Sequence, residues 1–112
     1  MPNTLISDIS HFLDEFGMIA PKSGPARKLA EHLTAIIAES TAALAEIDGY
    51  KKVACRRRPG RRPCIGLIES WIDPDSGAIY WVCPNCEDDG FISNWEETMW
   101  DLSSDETPVS YT

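Results

Sequence analysis

Four cysteines in the pattern C-x8-C-x18-C-x2-C, at positions 55, 64, 83 and 86, constrain this 112-residue chain more than any other feature. The segments on either side of Asp73-Pro74-Asp75-Ser76-Gly77, Ile65–Ile72 and Ala78–Cys83, are rich in β-branched and aromatic residues. They read as two strands of a hairpin, with Gly77 at a turn position that needs a positive φ. Such a hairpin returns its two ends to one place, with Cys64 before one strand and Cys83-Pro84-Asn85-Cys86 after the other. Tetrahedral zinc needs four donors at ~2.3 Å from one point, and two cysteine pairs joined in this way can supply them.

The redox compartment decides between a metal and two disulfides. The N-terminus, MPNTLISDIS, has neither a basic start nor a long apolar run, and no stretch approaches the ~20 apolar residues that span a bilayer. A cytoplasmic protein without membrane contact is expected, and there thiolates and a metal are favoured over disulfides. The expected cofactor is one structural Zn2+ per chain, held by Cys55, Cys64, Cys83 and Cys86.

Ahead of the cysteines the pattern is helical. Leu5, Ile9, Phe12, Leu13 and Phe16 follow a helical period, with Thr4 or Ser7 as cap and Gly17 as stop. Gly24 and Pro25 open a second, longer helix of about 22 residues, whose stripe Leu29, Leu33, Ile36, Ile37, Leu44 and Ile47 runs to Gly49. The expected fold is α+β: an N-terminal two-helix hairpin over residues 1–49, packed on a small antiparallel zinc-ribbon-like sheet over residues 50–102. Tyr50–Cys55 and Phe91–Trp95 are expected as further short strands, and residues 103–112 as a flexible tail.

The charge is unevenly placed. A net charge of −8 would argue against nucleic-acid binding, but residues 51–62 (KKVACRRRPGRR) hold seven of the ten basic residues and no acidic one. Arg56, Arg57, Arg58, Arg61 and Arg62 lie between two metal ligands, and planar guanidinium groups held in a loop suit phosphate or carboxylate recognition. Eleven of the eighteen carboxylates follow residue 68, so pairing with the protein's own acids is the competing use of these arginines.

Cys83-Pro84-Asn85-Cys86 resembles the second knuckle of a zinc ribbon. Eight residues stand in the first pair where such knuckles have two to four, and Glu87 stands where glycine is common. CRRRPGRRPC, the hairpin, CPNC and ISNWEETMWD together resemble a group of short bacterial proteins of uncharacterised function. In these a helical segment precedes a zinc-ribbon-like half. The resemblance implies a fold and a metal, and no activity.

Other residues have plainer readings. Trp71, Trp81, Trp95 and Trp100 are expected mainly as core, with Trp100 the exposed exception; His11 and His32 are expected at the surface or its boundary. No nucleophile neighbours either histidine, so no catalytic residue is assigned. The expected function is a noncatalytic zinc-binding interaction module whose arginine loop contacts an anionic partner, either nucleic acid or an acidic protein surface. Two alternatives stay open: a structural or regulatory homodimer, and a C-x-x-C thiol redox protein.

Overall fold

The computed structural model describes residues 4–47, 52–56, 62, 64–96 and 98–104. The architecture is α+β, with one long α-helix laid on one face of a four-stranded mixed sheet. The elements are β1 (Thr4–Asp8), a 3-10 turn (Ile9–Phe12), α1 (Gly24–Leu44), β2 (Glu69–Ile72), β3 (Ile79–Val82), β4 (Asp89–Ser93) and a final 3-10 turn (Leu102–Ser104). The sheet order is β1-β4-β3-β2; β1 runs parallel to β4, and the other pairings are antiparallel.

The expected N-terminal helix, and with it the two-helix hairpin, is absent. Its residues form β1 and a short 3-10 turn, and Leu13 and Ile19 make an isolated antiparallel bridge. Two aspartates explain the change, because their side chains bond to the local backbone in ways a helix does not allow. Asp8 Oδ1 accepts from the Ser10 amide at 2.9 Å, and Asp14 Oδ1 accepts from the Phe16 and Met18 amides at 2.9 and 3.0 Å. The apolar spacing also fails as a buried stripe: Ile9 is fully buried, whereas Phe16 is 78% exposed.

The second helix follows the sequence closely. Pro25 occupies its first turn, where a missing amide proton costs nothing, and the helix runs 21 residues. Leu33, Ile36 and Ile37 are fully buried against Ile9, Ile68, Ile79 and Ile92. Thr41, also fully buried, donates from its hydroxyl to the Ile37 carbonyl at 2.7 Å and accepts from the Leu102 amide at 2.9 Å. That pair of bonds fastens the C-terminal segment to α1. It also holds Trp100 partly buried, against the expectation of an exposed Trp100; Trp71, at 51%, is the exposed tryptophan instead.

The strands are shorter than expected but correctly placed. Glu69–Ile72 and Ile79–Val82 pair in register across the turn, where Gly77 has φ +77° and Asp73 Oδ2 accepts from the Ser76 amide and hydroxyl. Tyr50 lies outside the described residues, and Ala54 makes an isolated bridge to Leu67. The expected strand at Phe91–Trp95 begins earlier and ends at Ser93. Of the expected tail, Leu102–Ser104 form the final turn, and residues 105–112 lie outside the described residues.

Register assigns the two faces of the sheet, since directly opposed residues share a face and neighbours along a strand alternate. Ile72, Ile79, Ile92 and Ser7 form one inward row, and Ser70, Trp81, Gly90 and Leu5 the next. Gly90 lets the Trp81 indole cross β4: a β-carbon there would lie 2.8 Å from two atoms of the ring.

Candidate metal centre

Each half of the cysteine constellation is built by backbone pairing. On the first arm, the Cys55 amide donates to the Gly66 carbonyl at 3.0 Å and the Ile68 amide to the Val53 carbonyl at 2.7 Å. The segments that carry Cys55 and Cys64 are thus held side by side, residues 53–55 against residues 66–68. The second half is a tight knuckle between β3 and β4. The Glu87 amide donates to the Cys83 carbonyl at 2.7 Å, and the Cys83 amide to the Asp88 carbonyl at 2.8 Å. Glu87 has φ +68°, a left-handed conformation at the position where glycine is the easier residue.

This pairing and the knuckle bring the four sulfurs together, all within 4.8 Å of one another. Cys55 and Cys86 Sγ are 3.7 Å apart, and Cys64 and Cys83 Sγ are 3.6 Å apart. A disulfide would place the atoms at ~2.0 Å. A tetrahedron with metal–sulfur distances of ~2.3 Å has edges of ~3.8 Å, so both separations fit a four-sulfur metal site. Cys55, Cys64 and Cys83 are buried and Cys86 is partly buried, so the donor set is largely screened from water.

Polar groups around the sulfurs favour the ionised form at one position. Cys64 Sγ accepts from Asn85 Nδ2 and from the Gly66 amide, each at 3.4 Å. The Asn85 bond, followed by the Gly66 amide, pulls the Cys64 pKa down to about 7. Burial pushes the Cys86 thiol up, and the Asp88 backbone opposes it. Neither Asn85 nor Gly66 was identified from the sequence. Their signals lie inside the motifs, as the third residue of C-P-N-C and as the glycine two places after Cys64.

Gly66 shapes the centre sterically as well. A β-carbon at this position would collide with Cys83 Sγ and lie 2.8 Å from Asn85 Cβ.

The other candidate residues lie elsewhere. Arg56 and Arg62 are exposed, and among the described residues neither joins an ion pair; Arg57, Arg58 and Arg61 lie outside the described residues. His11 Nε2 stands 3.5 Å from Asp8 Oδ2 at an exposed site. His32 packs edge-on to Trp81, ring centroids 5.9 Å apart, with its Nε2 buried and unpartnered. Burial, helped by the Arg56 charge, lowers the His32 pKa to about 4.

Comparison with known proteins returns no matching family model, curated protein or solved structure. No described helix is long and apolar enough to cross a membrane.

Proposed function

We propose that Cys55, Cys64, Cys83 and Cys86 hold one structural zinc ion, and that the chain is a noncatalytic interaction module presenting its arginine-rich loop to an anionic partner. The observation that carries this reading is the four-sulfur cluster itself, with separations close to the edges of a zinc–thiolate tetrahedron. Four sulfurs fill four vertices and leave none for a reactive water, which separates a structural site from a hydrolytic one. The bound metal would fix both ends of the arginine loop, because Cys55 and Cys64 flank it. A guanidinium-rich segment tethered in this way loses less entropy on meeting phosphate or carboxylate than a free one.

The knuckle at Cys83–Cys86 supports the zinc-ribbon-like character of this half, and its surroundings weigh against thiol redox chemistry. A reactive C-x-x-C gains from a following helix N-terminus, but Cys86 leads into β4.

Native mass spectrometry of the reduced protein tests the metal: one zinc per chain is expected, and a metal-free folded chain would overturn it. Binding to labelled single- and double-stranded DNA and RNA over a salt series, beside a variant with all five loop arginines changed to serine, tests the partner. A steep salt slope lost in the variant would place phosphates in the loop. No binding at low salt would leave an acidic protein surface as the anionic partner.

A further inference from the structure

The sheet has a second face, and no described element covers it. Helix α1 and both 3-10 turns pack against the inward rows or against one another, so the outward residues of all four strands meet solvent. Register places Trp71, Tyr80, Phe91 and Ile6 in one row across β2, β3, β4 and β1. The rings make a continuous run of tilted contacts, with centroids 5.2 Å apart for Trp71 and Tyr80 and 5.0 Å for Tyr80 and Phe91, each pair inclined at 53°. The ends of the row are the most open, Trp71 at 51% and Ile6 at 72% exposure. Beside it a cavity of about 370 Å³ is lined by Ile6, Phe91, Ala78 and Asp73 among others.

The charge on this face has one sign. The outward strand positions carry Glu69, Asp89 and Asp8, the adjoining turn carries Asp73, and no lysine or arginine stands among the outward positions of the four strands. Asp89 is held in place, since its carboxylate accepts from Thr4 Oγ1 at 2.6 Å and from the Tyr80 hydroxyl at 2.7 Å. Aromatic faces flanked by carboxylates attract guanidinium and ammonium groups through both cation–π and ionic contact. The same arrangement repels phosphate, so this face is unsuited to nucleic acid.

The chain carries its own complement: seven basic residues and no acidic one between positions 51 and 62, with Lys52, Arg56 and Arg62 exposed. We infer that the outward sheet face is a self-association surface, on which the Trp71–Tyr80–Phe91–Ile6 row receives the basic segment 51–62 of a second copy of this chain. The inference rests on the reading of that segment as an anion-seeking loop, and names the acidic aromatic face of another protomer as its partner. A two-fold arrangement would form the contact twice and close the assembly as a dimer.

Sedimentation of the full-length, zinc-loaded protein tests it with two variants that damage opposite sides of the contact. Trp71→Ser removes the exposed end of the aromatic row, and the five-arginine-to-serine variant removes the cationic partner. Expected are a dimer at low salt that weakens as salt rises, and at least tenfold weaker self-association for each variant alone. Mixing the two should restore association in part, because one intact face then meets one intact loop. A wild type monomeric throughout, a Trp71→Ser protein that associates like wild type, or a mixture that stays monomeric would each overturn the inference. Should Trp71→Ser lose zinc or fold, Ile6→Lys places a positive charge on the same face and takes the same reading. The outcome is separable from that of the proposed function: a monomer that binds nucleic acid or an acidic protein through the loop would keep the loop's role and remove the self-association surface.

Discussion

Gly66 and Cys83 are packed so closely that no side chain fits between them: a β-carbon at position 66 would run into Cys83 Sγ. The contact comes from two chain segments seventeen residues apart that meet at the four-cysteine cluster. Gly66→Ala must therefore move Cys83 or the Cys64 arm. Overpacking of this kind costs ~1–3 kcal/mol, and here it also spoils ligand geometry. The expected result is a lower melting temperature and, for the metal-loaded protein, faster metal loss to a chelator, both followed on the same sample.

Removing a sulfur altogether is harsher. Metal binding and folding are coupled in small metal modules, because the unfolded chain has no preformed site. Cys83→Ser should disorder the Cys83–Cys86 knuckle and loosen the pairing of residues 53–55 with residues 66–68 while leaving much of α1 formed. Loss of near-ultraviolet circular dichroism from Trp81 and Trp95, with far-ultraviolet helical signal largely kept, would mark that outcome.

Glu87 offers a change in the opposite direction. Its φ of +68° is a conformation that glycine adopts without a side-chain penalty. Glu87→Gly relieves that penalty and gives up some unfolded-state entropy, so a net stabilisation of ~0.5 kcal/mol is expected. Chemical denaturation at fixed zinc concentration would measure it, and a clear loss of stability would show that the glutamate side chain contributes more than its backbone costs.

The histidine between α1 and the sheet makes stability depend on pH in a defined window. Folding lowers the His32 pKa from 6.5 to about 4, so between those values the unfolded chain binds a proton that the folded chain does not. Stability contributed by the neutral imidazole is complete above 6.5, falls as pH drops toward 4, and changes no further below it. The full shift corresponds to about 3 kcal/mol, which solvent screening of the partly exposed ring reduces. His32→Phe should remove this part of the slope, and comparing the two proteins at each pH separates it from acid release of the metal, which both share.

Thr41 is the tie between helix and C-terminal segment. Thr41→Val keeps the shape but leaves the Leu102 amide without its acceptor, a loss of ~1–2 kcal/mol. Hydrogen exchange at Asp101–Ser103 should quicken more than exchange in the sheet.

The parts of this fold that were legible in the sequence are those whose information is local. Gly24-Pro25 and the stripe from Leu29 to Ile37 define α1 within a few turns, and Asp73–Gly77 defines its own hairpin. The gathering of the four cysteines was legible for the same reason, since each pair is close in sequence and the β2–β3 hairpin brings the two pairs together. The N-terminal strand was not, because Leu5 and Ile9 satisfy a helical spacing and the pairing that makes Thr4–Asp8 a strand involves residues 89–93. The aromatic row was hidden likewise: Ile6, Trp71, Tyr80 and Phe91 become neighbours only when the register of three strand pairs is known.

The parallel pairing of β1 with β4 sets an order of events in the making of the protein. Thr4 and Asp89, bonded through their side chains, are 85 positions apart. During synthesis β1 emerges well before β4, so it must wait for the residues between them before its partner strand exists. The helix and the β2–β3 hairpin can form in the meantime from contacts close in sequence, so β1, though made before them, is seated after them. Until then the strand edge of β4 stays open, so the arrival of residues 4–8 is the step that covers β4 and moves the edge of the sheet out to β1.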